Sequence, residues 1–351
     1  MDALWLVPGF VVQDASAAQP EALLLSSHVA SVRMRGGVAA QAWQLAGNRN
    51  RLLAPEDSAA AAGADFSAAQ LCVVGKFLAE AKPDPWLRVA TQVKKAGGRL
   101  LVDICDYPFA EKSPTVVRFY EQALQICDAV IVNSARMAEL IAAHTPHVPQ
   151  VIEDAILGGP QRPQFAPEAT LKLLWFGHQK NLPYLEPVID ALMAYSAEQR
   201  VRLTIVTTPG FGVEQAAQQI NALQGSRLEV RFTPWSPEAT RIALRQCDLV
   251  LIPGDPRDPV KAGVSSNRLA EALQAGRLPI ASPLASYRPF SDAAWLGEDL
   301  VDGIAWAVAN HGEAMARIRR GQARVAETLS AETIGRQWCD LFERLASPEK
   351  N

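Results

Sequence analysis

Short, unbroken apolar runs that give way to a polar loop and then to helix-spaced segments recur along this chain, and they constrain its fold more than any other feature. Leu71-Cys72-Val73-Val74, Val130-Ile131-Val132, Leu249-Val250-Leu251-Ile252 and Leu278-Pro279-Ile280-Ala281 contain no polar residue. A strand with one wet face alternates polar and apolar side chains; a strand without alternation is covered on both faces, as in a parallel sheet between helix layers. The expected class is therefore α/β, with parallel strand layers covered by helices.

The same pattern divides the chain. In the first half, strands are expected at Leu4–Val7, Leu71–Val74, Leu100–Val102, Val130–Val132 and Val151–Ile152, with helices at Val38–Leu45, Trp86–Ala96 and Ala135–Ala143. Ala22–Leu25 suits either a strand or a turn of helix. Gly158-Gly159-Pro160-Gln161-Arg162-Pro163 has no periodic pattern and reads as a boundary. The expected organisation is residues 1–157 as a first domain, 158–170 as a linker, 171–330 as a second domain and 331–351 as a terminal helix. Strands of the second domain are expected at Leu171–Phe176, Leu203–Val206, Leu228–Phe232, Leu249–Ile252 and Leu278–Ala281, and helices at Ile304–Asn310, Glu313–Leu329 and Ala331–Leu345. The Ala-rich stretch Ser58–Ala64 reads as a loop or short helix.

Composition excludes several function classes. With 351 residues the chain is long enough for two cores, and a net charge of −3 without a Lys/Arg block speaks against nucleic acid and against general adhesion to anionic lipid. The N-terminus lacks a charged leader pattern, and no run of 18 apolar residues occurs, so the expected location is cytoplasmic, or at the inner face of the membrane with at most peripheral contact. The five cysteines are scattered through apolar runs and read as buried thiols. Trp43, Trp86, Trp175, Trp235, Trp306 and Trp338 sit among apolar neighbours and read as core or domain contacts, Trp235 after a strand being the exception that could also meet a sugar.

Cys247–Gly276 is the segment richest in chemistry. The strand Leu249–Ile252 ends at Pro253-Gly254, a loop carrying Lys261 follows, and Ser265, Ser266 and Asn267 precede a helix with Leu269, Ala272, Leu273 and Gly276 on its apolar side. A helix start after a buried strand offers free N–H groups and the positive end of a dipole to an anion. At about 100° per residue, Glu271 lies about 160–200° around from Leu269 and Leu273, so its carboxylate leaves the core and can accept from ribose hydroxyls. By itself Lys261 equally suits a solvated loop charge.

This segment resembles the donor-nucleotide site of glycosyltransferases of the two-domain GT-B fold, especially the retaining family-4 type and its bacterial envelope-polysaccharide relatives. Glu271-Ala272-Leu273-Gln274-Ala275-Gly276 matches the family's Glu-Ala-Leu-x-x-Gly setting, which implies a ribose-binding role for Glu271. Many members carry a second Glu eight positions earlier, where this chain has Gly263. The resemblance implies two doubly wound, Rossmann-like domains facing each other across a cleft, a terminal helix at 331–351 that crosses back to the first domain, and transfer of a sugar from a nucleotide-diphosphate sugar to a hydroxyl of a glycan, glycolipid or related acceptor. It also implies retention of anomeric configuration. A GT-B epimerase or hydrolase, or a catalytically silent nucleotide-sugar or glycan-binding subunit, is the alternative.

Further candidates follow from the same resemblance. Phe176-Gly177-His178-Gln179-Lys180-Asn181 stands where the family binds the donor pyrophosphate, implying roles for Gly177, His178 and Lys180; the residues alone also fit a strand-to-helix turn with an exposed Lys. Ser31-Val32-Arg33-Met34-Arg35-Gly36-Gly37 resembles the glycine-rich loop of the acceptor domain, so Arg33, Arg35, Gly36 and Gly37 are expected at the donor phosphates, against a plain reading of solvated arginines and a turn. Asp106, in Asp103-Ile104-Cys105-Asp106, follows a strand end where the family places a His loop, and is expected to orient an acceptor hydroxyl or take its proton. Asp103 suits a cap equally well. Neither Asp103 with Asp106 nor Asp255 with Asp258 forms a divalent-metal motif, so the expected reaction uses neither metal nor cofactor: Lys180, Lys261 and the amides at Ser265–Asn267 would stabilise the departing diphosphate.

Overall fold

The computed structural model describes residues 1–12, 19–57, 61, 66, 68–110, 113–210, 212–223, 227–258, 261 and 263–347. The Ala-rich stretch 58–64 lies, apart from Ala61, outside them. The chain forms two compact units: Met1–Leu157 with Ala262–Ser265 and Thr328–Asn351, and Gly158–Lys261 with Ser266–Glu327.

The first unit is built on a six-stranded parallel sheet of β1 (Asp2–Leu6), β2 (Arg49–Leu53), β3 (Leu71–Val74), β4 (Arg99–Ile104), β5 (Ala129–Val132) and β6 (Gln150–Val151), in the order β2-β1-β3-β4-β5-β6. Leu4 pairs with Arg51 on one side and Cys72 on the other. The chain leaves β1 to one side and returns on the other, so strand order reverses between β1 and β3. Loops diverge at such a point and leave a crevice beyond the strands' carboxyl ends.

Helices cover this sheet for legible reasons. Residues Pro83–Lys95 start with Pro in the first turn, bury Trp86, Val89, Ala90 and Val93 at helical spacing, and stop before Gly97, whose φ is 92°. The ambiguous stretch at 22–25 falls in a helix, Pro20–Ser26. A helix at Pro114–Ile126 and strand β2 were not expected. The helix Ala331–Ala346 packs on the helix Val38–Leu45, where Gly335 approaches so closely that an added Cβ would stand 2.8 Å from Ala42 Cβ. Phe342 packs edge-on against Trp5 and Trp43, with ring centroids 5.9 and 5.2 Å away.

The second unit repeats the plan with β7 (Thr170–Phe176), β8 (Arg200–Thr207), β9 (Leu228–Pro234), β10 (Leu249–Ile252), β11 (Leu278–Ala281) and β12 (Trp295–Leu296). All pairings are parallel and the order is β12-β11-β10-β7-β8-β9, so the reversal falls between β7 and β10. The helix Asn267–Gln274 buries Leu269, Ala270, Ala272, Leu273 and Gln274 and ends at Gly276. Gly276 has φ 73°, and a Cβ there would stand 2.4 Å from the Arg162 carbonyl oxygen, so glycine is required on both counts.

Cys72, Cys127 and Cys247 are buried, Cys105 and Cys339 half-buried, and all five are free thiols. Among the described residues no helix is long and apolar enough to cross a membrane.

Candidate functional site

In the second unit the reversal point collects the chemistry. Gly177 follows β7 directly, and a Cβ there would lie 3.4 Å from Arg268 Nη1 and 3.6 Å from Asn181 Nδ2. Arg268 stands in the first turn of the helix after β10, one residue beyond Asn267, and its Nη1 is buried with no hydrogen-bond partner among the described residues. A buried guanidinium donor left unpaired costs on the order of 1–3 kcal/mol. Arg268 escaped the sequence reading; the signal was a cation directly after an N-cap cluster.

Lys261 lies in the same place. Its Nζ donates to Asn181 Oδ1 and stands 5.3 Å from the Tyr184 ring centroid. Tyr184 in turn donates its hydroxyl to Asp258. Burial and then the Asp258 carboxylate push the Tyr184 phenol up to about 12, so it remains a donor at neutral pH. These bonds fasten the loop after β10 to the turn after β7. Lys261 is thus not a solvated loop charge.

The other expected residues of this unit take distinct places. His178 and Lys180 are exposed; His178 Nδ1 accepts from the Lys180 backbone N–H at 3.2 Å and caps the short helix Gln179–Tyr184. Ser266 is the N-cap of the Asn267–Gln274 helix but makes no side-chain cap, leaving an anion's position at that helix start uncontested by its hydroxyl. Asn267 and Glu271 are half-buried on that helix, Glu271 on the side away from the buried Leu269 and Leu273. Gly177, Lys261, Ser266, Asn267, Arg268 and Glu271 therefore share two loops and one helix start at the carboxyl ends of β7 and β10. Ser265 belongs to the first unit.

Correction is needed at Arg35 and Gly37. Residues Val32–Gly37 form a wide helical turn that runs straight into the helix Val38–Leu45, with Gly37 at φ −63°, so no glycine-rich loop exists here. Gly37 instead lets two helices touch, since a Cβ would meet Leu25 N at 2.9 Å. Arg35 is fully buried: Nε and Nη2 grip Asp103 at 2.9 and 2.6 Å, and Nη1 donates to Asp154 Oδ1 and the Ile152 carbonyl oxygen, both at 2.7 Å. Burial works against the Arg35 charge, but Asp103 and Asp154 outweigh it and push the guanidinium further up. Arg35 is an internal clamp between β4 and the segment after β6. Arg33 is half-buried and donates to the Ser27 carbonyl oxygen at 2.6 Å.

Gly263, which stands where the family has its first Glu, lies in the first unit against the helix Ala135–Ala142. Its carbonyl oxygen accepts from Ser134 Oγ at 3.2 Å, and a Cβ would stand 2.7 Å from Met137 Cε and 3.4 Å from Leu140 Cδ1. A glutamate has no room there. Gly263→Ala is expected to be mild, since the Met137 methyl can swing aside, whereas Gly263→Glu should destabilise by about 1–3 kcal/mol through overpacking and a desolvated carboxylate. Thermal denaturation of the two variants checks this ordering; equal melting temperatures would refute it.

Asp106 follows β4 with its side chain 59% exposed, and it forms an ion pair with Lys76, which follows β3 and is 21% exposed. A small cavity of about 20 Å³, lined by Ser31, Gly36, Gly75, Lys76, Asp103 and Cys105, lies at the reversal point between β1 and β3; Asp106 is not part of its lining. Lys76 was not expected.

No protein-family model matches the chain, and a search of curated proteins finds no match. Solved structures do match, over 79% to 99% of the chain. HepE from Anabaena, determined with UDP-glucose, is 14% identical with a TM-score of 0.68, covering 98% of this chain and 100% of that one. A glycosyltransferase from Rickettsia africae is 10% identical with a TM-score of 0.66, covering 99% of each chain. The pneumococcal O-GlcNAc transferase GtfA, determined with UDP and GlcNAc, is 13% identical with a TM-score of 0.55, covering 79% of this chain and 57% of that one. The fold of this chain is the GT-B fold of such glycosyltransferases.

Proposed function

We propose that the chain is a glycosyltransferase that takes a sugar from a nucleotide-diphosphate donor, with UDP as the nucleotide, and passes it to a hydroxyl of a glycan, glycolipid or related acceptor. The reading is carried by the buried, unpartnered Arg268 Nη1 against Gly177 at the β7/β10 reversal point. Uridine nucleotides are named because the similar HepE and GtfA structures hold UDP-glucose and UDP.

In this scheme the diphosphate lies along the Gly177 turn. Arg268 donates to it, Lys261 exchanges Asn181 for a phosphate oxygen, and the start of the Asn267–Gln274 helix faces the same charge. As the glycosidic C–O bond breaks, negative charge grows on the β-phosphate, and these groups are already in place to meet it without a metal ion or cofactor. Glu271 accepts from the ribose hydroxyls. Lys180 is exposed and serves at the entrance of the site. In the first unit Asp106 meets the acceptor hydroxyl, and transfer retains the anomeric configuration.

Calorimetric titration with UDP and UDP-sugars tests the reading, and product analysis with donor alone separates transfer from epimerisation or hydrolysis. Glu271→Ala should weaken UDP binding by about 10- to 100-fold, the loss of one or two bonds to a charged acceptor, while leaving uridine-free diphosphate binding unchanged. No binding of any nucleotide diphosphate to the unaltered protein would end the proposal. A first-formed product of inverted configuration by NMR would remove retention alone.

A further inference from the structure

A sheet that does not close into a barrel leaves peptide groups on its outer strands open to a further strand, and such edges need protection. Among the described residues, edge strands β6 and β12 have two residues each, β2 has five, and β9 is the longest with seven. The helix before β9, Val213–Asn221, buries Val213 and Ala217, four residues apart. Asn221 stands at the next such step, so it falls on the side of the helix that faces the sheet. An apolar residue would suit that position, yet this chain has an amide there.

That amide is used at Val230, in the middle of β9. Asn221 Oδ1 accepts from the Val230 backbone N–H, and Asn221 Nδ2 donates to the Val230 carbonyl oxygen, both at 2.8 Å. Trp235, just past the strand, donates its backbone N–H to the Thr207 carbonyl oxygen of β8 at 2.8 Å. Peptide groups alternate sides along a strand, so odd-numbered residues here turn toward β8, and Leu228, Val230, Phe232 and Pro234 turn outward. Pro234 has no N–H and ends the outward row. Asn221 therefore sits on the middle of the three outward residues that keep a donor.

We propose that Asn221 is an edge guard: its amide fills the place on β9 that the β9 of a second copy of this chain would take, and so closes a latent surface for self-association, independently of what the chain binds. Two copies of β9 meeting antiparallel about a two-fold axis at Val230 would exchange both hydrogen bonds between their Val230 residues, the same two that Asn221 supplies within one copy. In that register Glu229 of one copy lies opposite Arg231 of the other. The two side chains now pair with each other along one strand, 2.6 Å apart and 40% and 55% exposed, so opposite charges are already in place for a partner.

The full chain and its Asn221→Ala variant are compared by sedimentation velocity over a concentration series, with amide hydrogen exchange read at Val230 in dilute solution. The variant should associate about 10- to 100-fold more tightly than the parent, the effect of returning one pair of peptide groups to a partner strand. Its Val230 amide should exchange faster when dilute. Adding Arg231→Glu, which sets Glu229 against a like charge in the proposed register, should bring association back to the parent's level. A variant that associates no more than the parent overturns the proposal even if its melting temperature falls, because Asn221 then only ties helix to strand. Association that survives Arg231→Glu overturns it too, since another surface is then responsible, as does equal exchange at Val230 in parent and variant. Asn221→Leu, a better helix former on a sheet-facing position, should behave as Asn221→Ala does and decides the matter if the alanine variant does not fold.

Discussion

Replacing Arg268 with Met should weaken UDP binding by about 10- to 100-fold and lower turnover of a UDP-sugar by about 10²- to 10³-fold, the larger loss being that of one preorganised donor at a site of growing charge. Met is as good a helix former as Arg, and Arg268 lies in the first turn, so the Asn267–Gln274 helix should persist. Relief of a buried, unpaired Nη1 should leave the ligand-free protein as stable as the parent or slightly more so. That combination, loss of affinity with no loss of stability, marks a group kept for a ligand. An unchanged dissociation constant for UDP, or a large drop in melting temperature, would contradict it. Arg268→Lys should recover part of the affinity but lose the forked geometry.

Arg35→Met should act in the opposite way. It leaves Asp103 and Asp154, 7% and 4% exposed, buried without their shared cation. Removing one partner of such a group costs about 3–5 kcal/mol. In a unit of this size that lowers the melting temperature by about 6–20 °C. Removing all three charges together, in Arg35→Met with Asp103→Leu and Asp154→Leu, should recover most of the loss, because the desolvation penalty leaves with the last carboxylate. UDP affinity at low temperature should be untouched, since Arg35 belongs to the first unit's interior. A single variant as stable as the parent, or one that folds normally but no longer binds UDP, would show that Arg35 is a ligand group after all.

The contrast between these two arginines explains what the sequence made legible. Interior strands such as Leu71–Val74 and Leu249–Ile252 carry their burial in composition, and they fall where the apolar runs place them. Strand β2, Arg49-Asn50-Arg51-Leu52-Leu53, is an edge strand with mostly half-exposed residues, so nothing apolar advertised it. Arg33 and Arg35 look like an alternating pair that reaches one place. In a helical turn two residues two apart point about 160–200° apart, which sends Arg33 to the Ser27 carbonyl oxygen and Arg35 into the core. Glu271 was legible because its helix frame was set by Leu269 and Leu273. Arg268 and Lys76 were not, because each is a single cation whose meaning comes from a neighbour distant in sequence: Gly177 for one and Asp106 for the other.

The return of Thr328–Asn351 to the first unit has a consequence during synthesis. Trp5 and Trp43 are translated early, yet the Phe342 ring that packs edge-on against both comes about 300 residues later, roughly 15–60 s at ordinary elongation rates. Until then an indole-lined surface on the nascent chain stays wet, while the second unit already has all its strands outside the ribosome. Nascent-chain quality control would thus meet the earlier half as the client and the later half as the finished product.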